Sequence, residues 1–163
     1  MTIKSFDRTV AEAHGFRIET SASGEEMSIP VTAEAKAVQS NAEAAAAKDA
    51  RSTGREIKPF GSAEGNCGSS FVSAKKYSGD WLGVSTGYSV YGTVIDRSWY
   101  VNGVGAITSN TIYFQGGSTP STWSGTGGAT VVGPGYAVVP FTAHVILSNG
   151  GVCYSNAPID FFG

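Results

Sequence analysis

Gly83-Val84-Ser85-Thr86-Gly87 has the spacing of a nucleophile elbow, and Asp96 and His144 follow it in the order Ser, Asp, His. Those are the side chains acyl transfer needs: a hydroxyl that attacks, an imidazole that takes its proton, and a carboxylate that holds the imidazole. The motif works where a strand ends in a sharp turn and a helix begins, because that turn lifts the serine into the site. Ser85 lies instead inside an unbroken alternating run, and no helical pattern follows it. In a chain with 22 glycines and many serines the match arises cheaply. No catalytic residue is expected.

The other candidates for chemistry are thinner. Asp80 with Asp96 or Asp160 could supply the two carboxylates of glycoside hydrolysis, but that chemistry depends on their separation in space. His144 stands on the polar side of a strand, and His14 is the only other histidine. Metal-ligand spacing of Cys and His is absent, so no metal and no cofactor is expected. Gly125-Thr126-Gly127-Gly128 and Gly133-Pro134-Gly135 lack the Lys and Ser/Thr of a phosphate loop.

Two cysteines remain, Cys67 and Cys153, both flanked by turn residues. They read as one structural bridge, with two buried free thiols as the alternative. A bridge implies an oxidising compartment, hence a secreted protein. Residues 1–8 carry no apolar signal core. That is expected if a signal peptide has been removed and Met1 added.

The elements that would position these residues divide the chain. Residues 1–59 carry 8 Lys/Arg and 9 Asp/Glu, and residues 60–163 carry 3 and 4. All three tryptophans and all seven tyrosines lie in the second part. The net charge of −2 and the lack of a basic stripe give no support to nucleic-acid binding. No apolar run is long enough to span a membrane.

In the first part, Phe16–Thr20 and Met27–Val31 alternate around a turn-rich link, as in a hairpin. A two-stranded hairpin is marginal alone in water, so Phe16, Ile18, Ile29 and Val31 are expected to contact a partner or the chain's own domain. Thr32–Arg51 is rich in Ala, Glu and Lys, with Thr32 as a cap and Val38 as its only large apolar residue. It is expected to be a helical spacer or a disordered linker. The boundary is expected at Thr53–Gly61, around Pro59.

The second part reads as strands. Val84, Thr86, Tyr88, Val90 and Val94 share one face. Arg97–Ile107 follows, with Trp99, Val101 and Ile107 in phase, and a hairpin about Asp96 would pair the two runs. Thr111–Gln115 is another strand, Gly116–Gly128 a loop, and Tyr136–Ser148 the clearest strand, with Pro140 marking an edge or bulge. Short strands at this spacing predict a mainly β fold, an antiparallel β-sandwich. The sandwich is immunoglobulin-like in general architecture only: Trp81 follows Cys67 at a suitable distance, but Gly151 stands where the tyrosine corner would be. The expected division is an extended arm over 1–31, an Ala-rich linker over 32–60 and a disulfide-tied domain over 61–163. Tyr91 and Tyr100 fall out of phase with the apolar faces. Trp123, placed in a loop, is a candidate contact for a protein or a sugar.

Gly15-Phe16-Arg17-Ile18, Ser28-Ile29-Pro30-Val31, the Ala-rich link and the opening Gly65-Asn66-Cys67-Gly68-Ser69-Ser70-Phe71 together resemble small secreted β-domain proteins of high-GC Gram-positive bacteria. One similar group serves as the adaptor subunit of umbrella-shaped antibacterial toxin particles. That resemblance implies other secreted proteins as partners: a large repeat-bearing toxin chain and a lectin-like subunit. The expectation is thus a secreted, non-catalytic adaptor. The alternatives are a protease inhibitor acting through the 116–128 loop, or a carbohydrate-binding module.

Overall fold

The computed structural model describes residues 1–52 and 61–163. The expected boundary residues Thr53–Phe60 lie outside the described residues, and only Gly61 of that stretch is within them.

β1 (Thr2–Phe6) leads into α1 (Arg8–Ala13). Asp7 caps this helix, its carboxylate accepting the Val10 N–H at 3.0 Å and so satisfying a donor that the first turn cannot. β2 (Phe16–Thr20) and β3 (Glu26–Pro30) pair as the expected hairpin, with Phe16 opposite Pro30 and Thr20 opposite Glu26. Thr32 then caps α2 (Ala33–Ser52), its hydroxyl accepting the Ala35 N–H at 3.1 Å. The Ala-rich stretch is therefore helical, as its residue propensities favour. Its thin apolar edge is covered: Ala35 joins Ala11, Phe16 and Ile18 in a small core, with Phe6 and Val38 packed against it.

Beyond residue 60 follow β4 (Ser62–Gly65), β5 (Gly68–Lys76), β6 (Trp81–Val90), β7 (Val94–Ser98), β8 (Tyr100–Gly105), β9 (Ser109–Tyr113), β10 (Thr122–Thr130), β11 (Gly135–Val138), β12 (His144–Leu147), β13 (Gly151–Tyr154) and β14 (Ile159–Phe162). The described residues are mainly β, arranged in three four-stranded antiparallel sheets besides the hairpin. Their strand orders are β1-β13-β12-β7 (sheet I), β10-β6-β5-β4 (sheet II) and β14-β11-β8-β9 (sheet III). The core contains Val72, Leu82, Tyr88, Trp99, Val101, Val131, Val139 and Val145. Cys67 and Cys153 are bonded, with Cα atoms 6.3 Å apart, so the turn between β4 and β5 is tied to β13. No helix among the described residues is long and apolar enough to cross a membrane.

The N-terminal residues are stitched to the rest. β1 pairs with β13 at the edge of sheet I, where Thr2 lies opposite Tyr154 and Phe6 opposite Gly151. The Asp7 N–H donates to the Gly150 carbonyl at 2.7 Å, and the Ser28 hydroxyl to the Asn149 carbonyl at 2.7 Å. Met1 is buried and its amine donates to the Gly68 carbonyl at 2.6 Å, and burial pushes that amine down to about 6. Residues 2–6, expected in an extended arm, are thus an edge strand.

Three other expectations are corrected. The hairpin about Asp96 does not form: β6 pairs with β5 and β10, and β7 pairs with β12. Trp99 is the single residue between β7 and β8, where the chain passes from sheet I to sheet III, and Ile107 lies in the following turn, 75% exposed. Tyr136–Ser148 is not one strand. Pro140 has no N–H to give a ladder, the chain turns there with Ala143 N–H donating to the Pro140 carbonyl at 3.0 Å, and β11 and β12 enter different sheets. Finally, Thr122–Gly128 of the expected loop belongs to a strand, β10, that pairs along its whole length with β6. Its glycines hid it. A β-carbon on Gly125 would lie 2.7 Å from the Trp123 ring, and one on Gly127 would lie 2.9 Å from Ile112, so the space a strand side chain would take is already filled.

Candidate functional site

Sheet III presents two faces of opposite kind. Inward along its strands point Val101, Ile112, Ala137 and Phe162, all buried. Outward point the alternate residues, which the register assembles into rows. Tyr100 lies opposite Tyr113. Asn102 lies between Thr111 and Val138, with Ile159 beyond. Val104 lies between Ser109 and Tyr136, with Phe161 beyond. Ring pairs stand at opposite corners: Tyr100–Tyr113 with centroids 5.7 Å apart and Tyr136–Phe161 at 6.2 Å. Between them the Thr111 hydroxyl donates to the Asn102 side-chain oxygen at 3.0 Å.

Asp160 sets the phase of the last strand. It is buried, accepting the Ala74 N–H at 2.8 Å and the Phe161 N–H at 3.1 Å. A buried carboxylate with two donors is fixed in place, and its neighbours Ile159 and Phe161 must then face out. Tyr113 and Phe161 are each 65% exposed. None of the outward positions named above carries a charge. Rings, small polar groups and no charge make up the chemistry of the buried centre of a protein interface. Such a face offers a large aromatic contact area.

The three residues that match a triad in sequence order are not joined in the structure, although Asp96 and His144 lie on the paired strands β7 and β12. Ser85 belongs to β6 of sheet II, while Asp96 and His144 belong to sheet I. Asp96 accepts its neighbour Arg97's N–H at 2.8 Å, and the His144 Nδ1 contacts the Thr142 carbonyl at 2.8 Å. Among the described residues no hydrogen bond joins the three, and no group of three His, Cys, Asp or Glu could hold a metal.

The expected contact residues divide. Phe16 and Ile18 are buried in the chain's own small core, so the hairpin uses them to attach itself. Ile29 is half-buried, and Val31 is 52% exposed. Trp123 is half-buried and turned inward. It stacks on Tyr88 at 5.7 Å between centroids, meets the edge of Phe114 at 5.8 Å, and carries the Arg97 guanidinium 4.0 Å from its ring centre. Arg97 also donates to the carbonyls of Gly116, at 2.6 Å, and Ser118, at 3.4 Å, which tethers what is left of the expected inhibitory loop. Burial pushes the Tyr88 phenol up, with Arg97 acting in the opposite sense. Tyr91, one of the two out-of-phase tyrosines, joins the helix to the sheets: its hydroxyl donates to the Asp49 carboxylate, and burial and that bond push it up to about 12.

No known protein family, curated protein or solved structure matches this chain. Tyr113 and Tyr136 belong to the ring-rich set that the sequence displays, and the site residues that sequence reasoning passed over are Val138, Ile159 and Phe161. Their signal was present in part: Ile159-Asp160-Phe161-Phe162 carries large apolar residues on both faces of a short strand, which an ordinary half-buried strand does not.

Proposed function

We propose that this chain is a secreted, non-catalytic protein-binding module, and that the outer face of sheet III is where its partner sits. The observation that carries the reading is the charge-free face bounded by the Tyr100–Tyr113 and Tyr136–Phe161 pairs. Sets of rings with this exposure mark contact sites on soluble proteins. The partner this face suits has an apolar, hydrogen-bonding surface and no charge at its centre. In this reading sheets II and III are the two layers of a β-sandwich, an arrangement supported by Leu82 of β6, which fills the space a β-carbon on Gly103 of β8 would take. The Cys67–Cys153 bond supports an extracellular setting. The adaptor role extends the same reading: a large toxin chain and a lectin-like subunit are the proposed partners, with sheet III in contact with one of them. The arm's contribution is reduced to Ile29 and Val31.

Photo-crosslinking tests this. A benzophenone amino acid is placed at 113, at 161 and, as a control, at exposed Ala44 of α2, and each chain is incubated with the culture fluid of the secreting organism. The expectation is one defined secreted protein captured from both 113 and 161 and not from 44, with the free chain monomeric by light scattering. Unlabelled chain should compete, and Phe161→Asp should compete about 30-fold or more less well, as for the loss of one interface anchor. Capture that is absent or equal at 44 overturns the proposal, as does a stable homodimer formed through this face.

A further inference from the structure

A second surface, on sheet II, has a different chemistry. Its outward positions form cross-strand rows, and Ser73, Ser85 and Thr126 occupy one of them. The next row holds Gly83 and Gly128, and two aromatic rings lie on those glycines. A β-carbon on Gly83 would meet the Tyr77 ring at 2.7 Å, and one on Gly128 would meet the Trp81 ring at 2.7 Å. The rings therefore rest against bare backbone and stay about half exposed, Tyr77 51% and Trp81 47%. Ser73, Tyr77, Trp81, Gly83, Ser85 and Thr126 line an open groove of about 750 Å³, a volume suited to a small ligand.

The hydroxyls on the groove floor are uncommitted. Two rows away on the same face, Ser89 and Thr122 bond to each other at 3.1 Å. Among the described residues, the side chains of Ser73, Ser85 and Thr126 take no such partner, and each can both donate and accept. Among the described residues, the one charged side chain lining the groove is that of Lys75, whose ammonium lies 5.4 Å from the centre of the Tyr77 ring. A lone lysine, with no acid among the described lining residues, suits neither a metal cation nor a polyphosphate.

We propose that this groove binds a neutral oligosaccharide. A pyranose has an apolar C–H face and a rim of hydroxyls. The Trp81 and Tyr77 rings fit the first, and the Ser73–Ser85–Thr126 row fits the second. The glycines let the sugar and the rings approach the sheet closely, which side chains at 83 and 128 would prevent. Ser85, which resembled a nucleophile in the sequence, becomes a hydrogen-bonding group. The site is separate from sheet III and does not depend on the protein-binding reading.

Affinity electrophoresis of the intact chain tests it, in native gels containing hydroxyethylcellulose, laminarin, galactomannan or, as the anionic comparison, polygalacturonate. Retardation by at least one neutral polymer is expected. Trp81→Ala should weaken it about tenfold or more, on the scale of one ring contact. Ser85→Val keeps both rings and a strand-compatible side chain, and should weaken retardation as well. Phe161→Asp should leave it unchanged, so that failure here and failure of the sheet III reading are separable. Retardation by none of the neutral polymers overturns the proposal, as does stronger retardation by polygalacturonate, or Trp81→Ala and Ser85→Val chains that migrate as the parent does.

Discussion

Replacing Thr86 by Val should expose how the three sheets are held together. Thr86 and Trp99 are both buried. The Trp99 indole N–H donates to the Thr86 hydroxyl at 3.1 Å, and that hydroxyl donates to the Phe71 carbonyl at 2.8 Å. Trp99 is also the corner between β7 of sheet I and β8 of sheet III, so its bond to β6 links all three sheets through one side chain. Valine has nearly the shape of threonine and favours strands, so the substitution removes little packing. What it does is strand a buried indole N–H, at a cost of about 1–3 kcal/mol. For a chain of this size that lowers Tm by roughly 2–4 °C per kcal/mol. Urea denaturation followed by far-UV circular dichroism should show a lower midpoint with unchanged slope. Trp99→Phe removes the donor instead and leaves the Thr86–Phe71 bond in place. If the indole–hydroxyl bond carries the effect, the double variant Thr86→Val/Trp99→Phe should cost less than the two single changes added, by about 1 kcal/mol. A Thr86→Val chain within about 0.5 kcal/mol of the parent would refute the reasoning, and so would a double variant that is simply additive.

Cys153→Ser opens a loop of sequence separation 86 and should cost about 4–5 kcal/mol in the chain-entropy description. Thermal unfolding with and without reductant checks it, and a Tm indifferent to both reductant and substitution would count against a role for the bond. Tyr91→Phe removes the tie between Asp49 of α2 and the sheets, at about 0.5–1.5 kcal/mol, and should speed amide exchange in the C-terminal half of α2. The same tyrosine sets a pH dependence. Its pKa in the folded chain is about 12 against an ordinary 10.0, so between those values the unfolded chain has lost a proton that the folded chain keeps. Stability should therefore fall as pH rises from 10 to 12. The parent chain should lose more stability over that window than Tyr91→Phe does, and equal losses in the two would contradict the assignment.

What could be read in advance was local. Thr32 before an Ala-rich run declares a helix start, and the structure has that cap. The alternation at Val84, Thr86, Tyr88 and Val90 declares a strand with one buried face, and all four are buried. Ser85 reads as a strand residue, and it lies within β6. Where reading failed, the deciding contact came from elsewhere in the chain. β10 lacks the apolar alternation of a strand because Ile112, Phe114 and Trp123 fill the space over its glycines. Tyr136–Ser148 reads as one strand because period-2 alternation cannot register a change of sheet. Alternation leaves open whether Phe16 and Ile18 meet a partner or their own chain, because their cover, Ala11 and Ala35, lies on two helices whose packing no pattern reports.

The sequence by itself determined the β character of the chain, the cap at Thr32 and the hairpin pattern, because capping and alternation act over a few residues; that the Ala-rich run is a helix rather than a disordered linker goes with the cover of Ala35 and Val38. It also determined that residues 60–163 are poor in charge and rich in rings. Which rings face out was decided only by tertiary structure. Whether Trp123 or Tyr113 is exposed depends on which strand lies beneath it, and that pairing is made between residues tens of positions apart. The outer face of sheet III and the hydroxyl row of sheet II each exist only once several strands are in register. A side chain's alternation names two faces, and only the packing of sheet on sheet says which of them meets water.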